Sequence, residues 1–213
     1  MMKVLEPIKE NFKVVAKCIK EGGVIISPSD TNFALTLNPW NEAAIERAFA
    51  IKNRPATSPL TLFILNPNDW KKYGEAEDEK MVQLLVDAFW PGPLNIIVKK
   101  KNTVPDRMLC GGDTVSISCL SNPAWRGMMN ELDMPVSMTS ANLSGKADGV
   151  LVDMELAIRQ IGDKVEYILK GEAQGTTKSS TIISLVDKPC ITRLGDISAE
   201  DIKKVINIAP SVV

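Results

Sequence analysis

The sequence predicts an α/β fold in one domain, residues 1–213: a twisted, mixed, open β-sheet with helices packed on it and a ligand groove at strand ends. Three observations predict it. Short apolar runs of strand length are interleaved with amphipathic stretches at helical spacing. Gly and Pro punctuate the boundaries between them. With 213 residues, 45% hydrophobic and 24% charged, the chain is ordinary for a globular protein. A domain of that size buries roughly 70% of the surface its unfolded chain exposes, so neither disulfides nor a metal is needed to hold it.

Each element follows in order. Glu10 to Glu21 is amphipathic, with Phe12, Val15, Cys18 and Ile19 on one face, and Gly22-Gly23 stops it. Val24 to Ser27 is a short apolar strand. Pro28 to Phe33 lies at its carboxyl end, where ligands of open α/β sheets tend to sit. Asn41 caps a helix reaching about Ile51, with Ile45, Ala48 and Phe49 inward. Leu60 to Leu65 is β-rich. Met81 to Trp90 is helical and ends at Pro91-Gly92-Pro93. Leu94 to Val98 and Thr114 to Leu120 are strands. The second alternates, with Val115, Ile117 and Cys119 on one face and Ser116 and Ser118 on the other. Pro123 to Leu132 is a helix, and Pro135 to Met138 a short strand. Lys164 to Leu169, Ser180 to Leu185 and Cys190 to Arg193 are further strands, and Ser198 opens a last helix, with Asp201 placed as in a capping box. No repeat is evident.

Composition excludes several chemistries. The net charge is −1, whereas a dedicated nucleic-acid binder is usually strongly basic. The run Lys99-Lys100-Lys101 reads as a solvated strand end. There is no histidine, which removes imidazole triads, bases and metal ligands. Cys18, Cys110, Cys119 and Cys190 form no C-x-x-C pair, so no zinc site is expected. Cys18, Cys119 and Cys190 read as core residues, while Cys110, beside two glycines, stays open. No stretch has the length of a signal peptide or a membrane span, so a cytoplasmic protein is expected.

Two motifs point to a phosphorylated anion. Lys52-Asn53-Arg54-Pro55 offers two cations at a helix end, and Ser140-Ala141-Asn142-Leu143-Ser144-Gly145 offers hydroxyl and amide groups on a tight backbone. Isolated cations there would merely complement the helix dipole. Gly145-Lys146 fails as a phosphate loop, because Ser140 and Ala147 stand where Gly and Ser or Thr are required. Ser140 and Ser144 have no histidine to activate them as nucleophiles. Asp30 and Asp113 read as turn residues. Trp40, Trp70, Trp90 and Trp125 form no stacking platform.

In combination these segments resemble the YrdC-like family, the threonylcarbamoyl-AMP synthases. Residues Pro28 to Leu35 resemble its P-T-D-T-x-Y-G-L segment, and Lys52-Asn53-Arg54-Pro55 matches K-x-R-P with the same spacing. Trp90 to Leu94 matches W-P-G-P-L, Asp113-Thr114-Val115 matches D-T-V, and Ser140 to Gly145 matches S-A-N-x-S-G. Ser180 to Ile183 resembles S-T-V-V, and Arg193-Leu194-Gly195 resembles R-P-G. The order holds along almost the whole chain, in the form of the family without an added C-terminal domain.

The resemblance implies a YrdC-like fold and a nucleotidyltransferase that joins L-threonine, bicarbonate and ATP into threonylcarbamoyl-AMP and pyrophosphate. A partner enzyme then moves the threonylcarbamoyl group to a tRNA adenosine. It implies Lys52 and Arg54 as catalytic cations on the phosphates. Arg54, Ser58, Thr114, Asn142 and Arg193 would bind the nucleotide, and Thr31, Ser118, Ser140 and Ser180 the threonine side. ATP is a substrate, Mg2+ accompanies it, and no protein metal site is implied. Attack at the α-phosphorus concentrates charge on phosphate oxygens, which preorganised cations and amides stabilise without a protein nucleophile.

Departures fall on the amino-acid side. Many members carry Arg on the strand after D-T-V, where this chain has Ser118. The carboxylate would thereby lose a bidentate partner, unless Arg107 or Arg126 replaces it. Phe63 stands where some members have His, Ser58 where some have Asn, and Val150 where Thr or Ser is usual; Ser29, Phe33 and Ala34 are milder changes. The resemblance thus leaves three readings. One is the synthase. Another is a diverged paralogue that binds an acyl-adenylate with a changed acceptor, marked by ATP turnover that ignores threonine. The third is a module that binds tRNA or double-stranded RNA without chemistry, marked by a steep salt dependence.

Overall fold

The alternation of apolar residues along the strands builds one twisted sheet, seen here in a computed structural model that describes residues 2–53, 57–145, 151–172 and 179–213. In chain order the strands are β1 (Lys3–Leu5), β2 (Ile25–Pro28), β3 (Phe33–Leu37), β4 (Thr61–Phe63), β5 (Gly74–Glu75) and β6 (Leu94–Lys100). They continue with β7 (Thr114–Ser118), β8 (Val136–Ser140), β9 (Tyr167–Leu169), β10 (Thr181–Ser184), β11 (Cys190–Arg193) and β12 (Ser211–Val212). The helices are α1 (Lys9–Lys20), α2 (Glu42–Lys52), α3 (Trp70–Tyr73), α4 (Glu79–Phe89), α5 (Pro123–Leu132), α6 (Met154–Ile161) and α7 (Ala199–Ile206).

The strand order is β1-β9-β2-β3-β8-β4-β7-β6-β10-β11-β12, with β5 paired to β6 off this path. Pairings are mixed. β4 and β7 run parallel, as do β6 and β10, while β2–β3, β3–β8 and β6–β7 are antiparallel. The expected mixed α/β sheet is therefore present. Helix starts agree closely with their capping signals. The Asn41 side chain accepts from the Ala44 amide at 3.0 Å, and Ser198 accepts from Asp201 at 3.1 Å. Gly22 leaves α1 at φ +88°, a backbone that other residues rarely adopt.

Several elements went unmarked in the sequence. The segment after Pro28 turns at once into β3, antiparallel to β2, so Pro28–Phe33 is a tight turn between paired strands. β3 is buried at every position and lacks the alternation that marks a half-solvated strand. Helix α6, the edge strands β1 and β12, and the short α3 and β5 are also additional.

Two cores lie on opposite faces. On one, Leu35, Leu62, Ile96, Ile117 and Ile183 pack under α2, α4, α6 and α7. On the other, Ile25, Ala34, Phe63, Val136 and Met138 pack under α1 and α5. Strand register extends this second face beyond those helices. Asn95 pairs with Ser118 and with Ile182, Ser118 with Phe63, and Ala34 with Ser140. Side chains alternate across a strand, so these residues share the face of Phe63. There the sheet carries polar residues: Thr61, Asn95, Ser116, Ser118 and Ser140.

Cys119 is buried as expected, whereas Cys18 and Cys190 are only partly buried, as is Cys110. Burial pushes the Cys18 and Cys119 thiols up to about 11, which makes them inert. Trp70, Trp90 and Trp125 are core residues, and Trp40 is surface-exposed. Lys100 ion-pairs with Asp106 at 2.7 Å and Lys101 donates to the Lys71 carbonyl at 2.7 Å, consistent with a strand end at the surface. No described helix is long and apolar enough to cross a membrane.

Candidate active site

The polar part of the second face is bounded by three segments: the β2–β3 turn, the Ser140–Gly145 loop and the start of β10. Each is held by side chains that local propensity alone would not bring together.

In the turn, the Ser29 hydroxyl accepts from the amides of Thr31 and Asn32 at 3.3 and 3.0 Å and donates to the Asn32 carbonyl at 2.6 Å. Asn32 accepts from the Val152 amide at 2.7 Å, and its Nδ2 donates to Thr31 Oγ1 at 3.3 Å. Thr31 Oγ1 and Ser180 Oγ are 3.5 Å apart although 149 residues separate them. Both residues are buried, at 5% and 8% exposure. Two expected threonine-side residues thus meet.

Asp30 is 2% exposed and is no ordinary turn aspartate. Its carboxylate accepts from the Ser121 and Asn122 amides at 3.0 and 2.7 Å, just before α5. Burial pushes its pKa above the ordinary value, and those backbone donors oppose the shift.

Lys52 ends α2 and is 1% exposed. Its ammonium donates to the Ser140 carbonyl, to the Asn142 carbonyl at 2.6 Å and to Asn142 Oδ1 at 3.4 Å. The Lys52 carbonyl accepts from the Ser144 amide at 2.9 Å. The two motifs singled out in the sequence are therefore one unit. Gln160 of α6 accepts from the Leu143 amide at 2.8 Å and supports the loop from behind. The Ser144 hydroxyl is buried without a hydrogen-bond partner among the described residues.

At the third segment, Arg193 Nε donates to the Ser180 carbonyl at 2.9 Å. The Thr181 hydroxyl donates to the Ile197 carbonyl at 2.7 Å and accepts from Gly195 and Ile197. A Cβ on Gly195 would stand 1.9 Å from the Ser179 carbonyl oxygen, so only glycine permits this approach.

Thr114 opens β7 and Ser58 precedes β4, both half-buried. Arg54 and Val150 lie outside the described residues. Ser118 is 0% exposed and its hydroxyl donates to the Leu94 carbonyl at 3.1 Å, so its one proton is used within the sheet. Of its two suggested substitutes, Arg107 pairs with Glu46. Arg126 donates to the carbonyls of Leu65 and Leu120 at 3.4 and 3.1 Å. Sequence reasoning missed Asn32, Asn95 and Gln160. Asn95 alone carried a signal, as the polar residue between Leu94 and Ile96 in an apolar strand. Among the described residues no cluster of three or more acidic or cysteine side chains could hold a metal ion.

The family profile Sua5_yciO_yrdC, described as telomere recombination, matches residues 17–195. The chain belongs to the Sua5/YciO/YrdC family. A threonylcarbamoyl-AMP synthase from Pyrococcus abyssi is 30% identical over 209 residues, 97% of this chain and 60% of the relative. A putative threonylcarbamoyl-AMP synthase from Methanocaldococcus jannaschii is 32% identical over 197 residues, 90% of each chain. The crystal structure of P. abyssi Sua5 complexed with L-threonine superposes with a TM-score of 0.91 at 26% identity, over 100% of this chain and 62% of that one. Escherichia coli YciO shares the fold, with a TM-score of 0.83 at 24% identity over 95% of this chain and 98% of its own. This member of the Sua5/YciO/YrdC family thus spans about three-fifths of the Pyrococcus relative but nearly all of the Methanocaldococcus one.

Proposed function

We propose that the chain is an L-threonylcarbamoyladenylate synthase, a nucleotidyltransferase acting on L-threonine, bicarbonate and ATP. One observation carries this reading. The β2–β3 turn that carries the Thr31–Ser180 hydroxyl pair adjoins the Lys52-anchored Ser140–Gly145 loop, the Ala141 amide donating to the Phe33 carbonyl at 2.9 Å, in a fold that a threonine-bound relative shares over this chain's full length.

The threonine amine attacks the carbon of bicarbonate or carbon dioxide, forming a carbamate; from bicarbonate, water leaves. A carbamate oxygen then attacks the α-phosphorus of ATP and pyrophosphate departs. No protein group need form a bond, so the cleft works by positioning and by stabilising charge. Lys52 has two parts here. Its ammonium shapes the Ser140–Asn142 loop, and its charge favours phosphate oxygens at that loop. Arg54, Ser58, Thr114, Asn142 and Arg193 take the nucleotide. Thr31, Ser140 and Ser180 take the amino acid, with Ser118 beneath them. Mg2+ would accompany ATP as part of the substrate and would neutralise phosphate charge.

The product serves tRNA threonylcarbamoyladenosine formation, through downstream transfer enzymes. The test is pyrophosphate release from ATP and bicarbonate with and without L-threonine, with the product's mass determined. Threonine-dependent release with a threonylcarbamoyl-adenylate mass supports the reading. Release that ignores threonine favours a paralogue with another acceptor, a second reading that the buried, uncharged Ser118 supports.

A further inference from the structure

The polar part of the second face holds a buried group with an unmet bond. Asn95 lies on β6, directly opposite Ser118 on β7 and Ile182 on β10. It is 5% exposed. Its Oδ1 is buried with no hydrogen-bond partner among the described residues. Ser118, the nearest polar side chain across the pair, turns its hydroxyl to the Leu94 carbonyl instead. A buried amide oxygen left unpaired is costly, and structural positions rarely keep such a group when an apolar one of the same shape would serve.

We infer that Asn95 is a specificity-determining residue of the amino-acid half of the cleft, whose amide reads the side-chain hydroxyl of the bound amino acid. This rests on the synthase reading. Three considerations choose the hydroxyl. A lone carbonyl oxygen repels the substrate carboxylate. It is a poor mate for a buried ammonium, which needs a counter-charge or several acceptors to offset its desolvation. A hydroxyl both donates and accepts, so it satisfies the amide whichever end is turned toward it. Ser118, directly opposite, is small, where a long side chain would reach across Asn95. A site that bonds a substrate hydroxyl rejects an analogue without it, because the protein group is then left unpaired.

The experiment compares L-threonine, L-serine and L-2-aminobutyrate as drivers of pyrophosphate release, in the wild type and in Asn95→Leu. Thermal unfolding of both is recorded. The wild type is expected to favour threonine over 2-aminobutyrate at least about 100-fold in kcat/KM. Asn95→Leu is expected to lower that ratio by about 10- to 100-fold, mainly through loss of activity with threonine and serine. Its melting temperature should be equal or higher, since leucine removes the unpaired amide, and this separates lost recognition from lost folding. An unchanged threonine to 2-aminobutyrate ratio in a folded Asn95→Leu overturns the inference and leaves the synthase reading standing. A wild type that responds to none of the three amino acids overturns both. Should Asn95→Leu fail to fold, Asn95→Asp keeps the acceptor and adds a charge. Retained preference for the hydroxyl substrates then upholds the inference, and its loss overturns it.

Discussion

Asp30 accepts a hydrogen bond from the Asn122 amide at 2.7 Å, and the Asn122 side chain donates back to the Ser29 carbonyl at 3.0 Å. The β2–β3 turn and the start of α5 thereby hold each other, and Thr31 is set between them and Ser180. Asn122 also caps α5 through the Ala124 and Trp125 amides. One residue pair links α5 of the second core to the turn that carries Thr31.

Replacing Asp30 with Ala strips the Ser121 and Asn122 amides of their acceptor. A loss of about 1–3 kcal/mol is expected, one or more buried donors being left unpaired. Thermal unfolding measures it, and threonine should bind more weakly while ATP binding holds.

The same carboxylate predicts a pH signature. Its pKa is raised in the folded protein above 3.8, so the folded state binds the proton more readily than the unfolded one. Stability from this group therefore rises as pH falls through its raised pKa, and the gain is complete below 3.8. The stability difference between wild type and Asp30→Asn, followed by denaturant titration across acidic pH, should show that rise. A flat difference would contradict it.

Lys52→Met removes the donor shared by the Ser140 and Asn142 carbonyls. Loop geometry and local positive charge are lost together. The expected fall in kcat/KM for ATP is about 100-fold or more, comparable to deleting one preorganised electrostatic contact. Steady-state kinetics at varied ATP tests this, with threonine saturating.

Gly195→Ala forces a Cβ against the Ser179 carbonyl oxygen and the Ser180–Thr181 backbone. Overpacking against backbone should cost about 1–3 kcal/mol or more. Because Arg193 and Ser180 are tied to this turn, weaker binding of both ATP and threonine is expected. Calorimetric titration with each ligand separates the two effects.

Ser118→Arg tests the amino-acid side directly. A guanidinium at this floor position supplies the carboxylate with a charge-assisted partner. The KM for threonine should fall by about tenfold or more. No change would mean that another group already holds the carboxylate.

Much of the candidate site lies in contiguous motifs, which a sequence displays directly. The Lys52 and Ser140–Gly145 segments carry their chemistry in residue type and spacing. What could not be read was their use. Lys52 looked like a helix-end cation that complements the helix dipole or holds phosphate, yet its ammonium is buried against loop carbonyls. Asp30 looked like a turn former with local bonds, yet its partners lie 91 and 92 residues away. Ser118 was identified by the absence of an arginine, and only strand register showed its hydroxyl spent on Leu94.

By itself the sequence determined the mixed α/β class, most helix starts and the lack of imidazole chemistry, because caps, periodicity and composition act over a few residues. It did not mark β3 or α6. A strand buried throughout shows no alternation, and α6 matters through Gln160, whose partner is on another segment. Tertiary structure alone decided which polar groups meet: Thr31 with Ser180, Lys52 with Asn142, Asn95 opposite Ser118. The physical reason is burial. Once water is excluded, each polar group must find its partner in the protein or keep a bond for a ligand, and which of the two happens depends on neighbours that only the folded chain supplies.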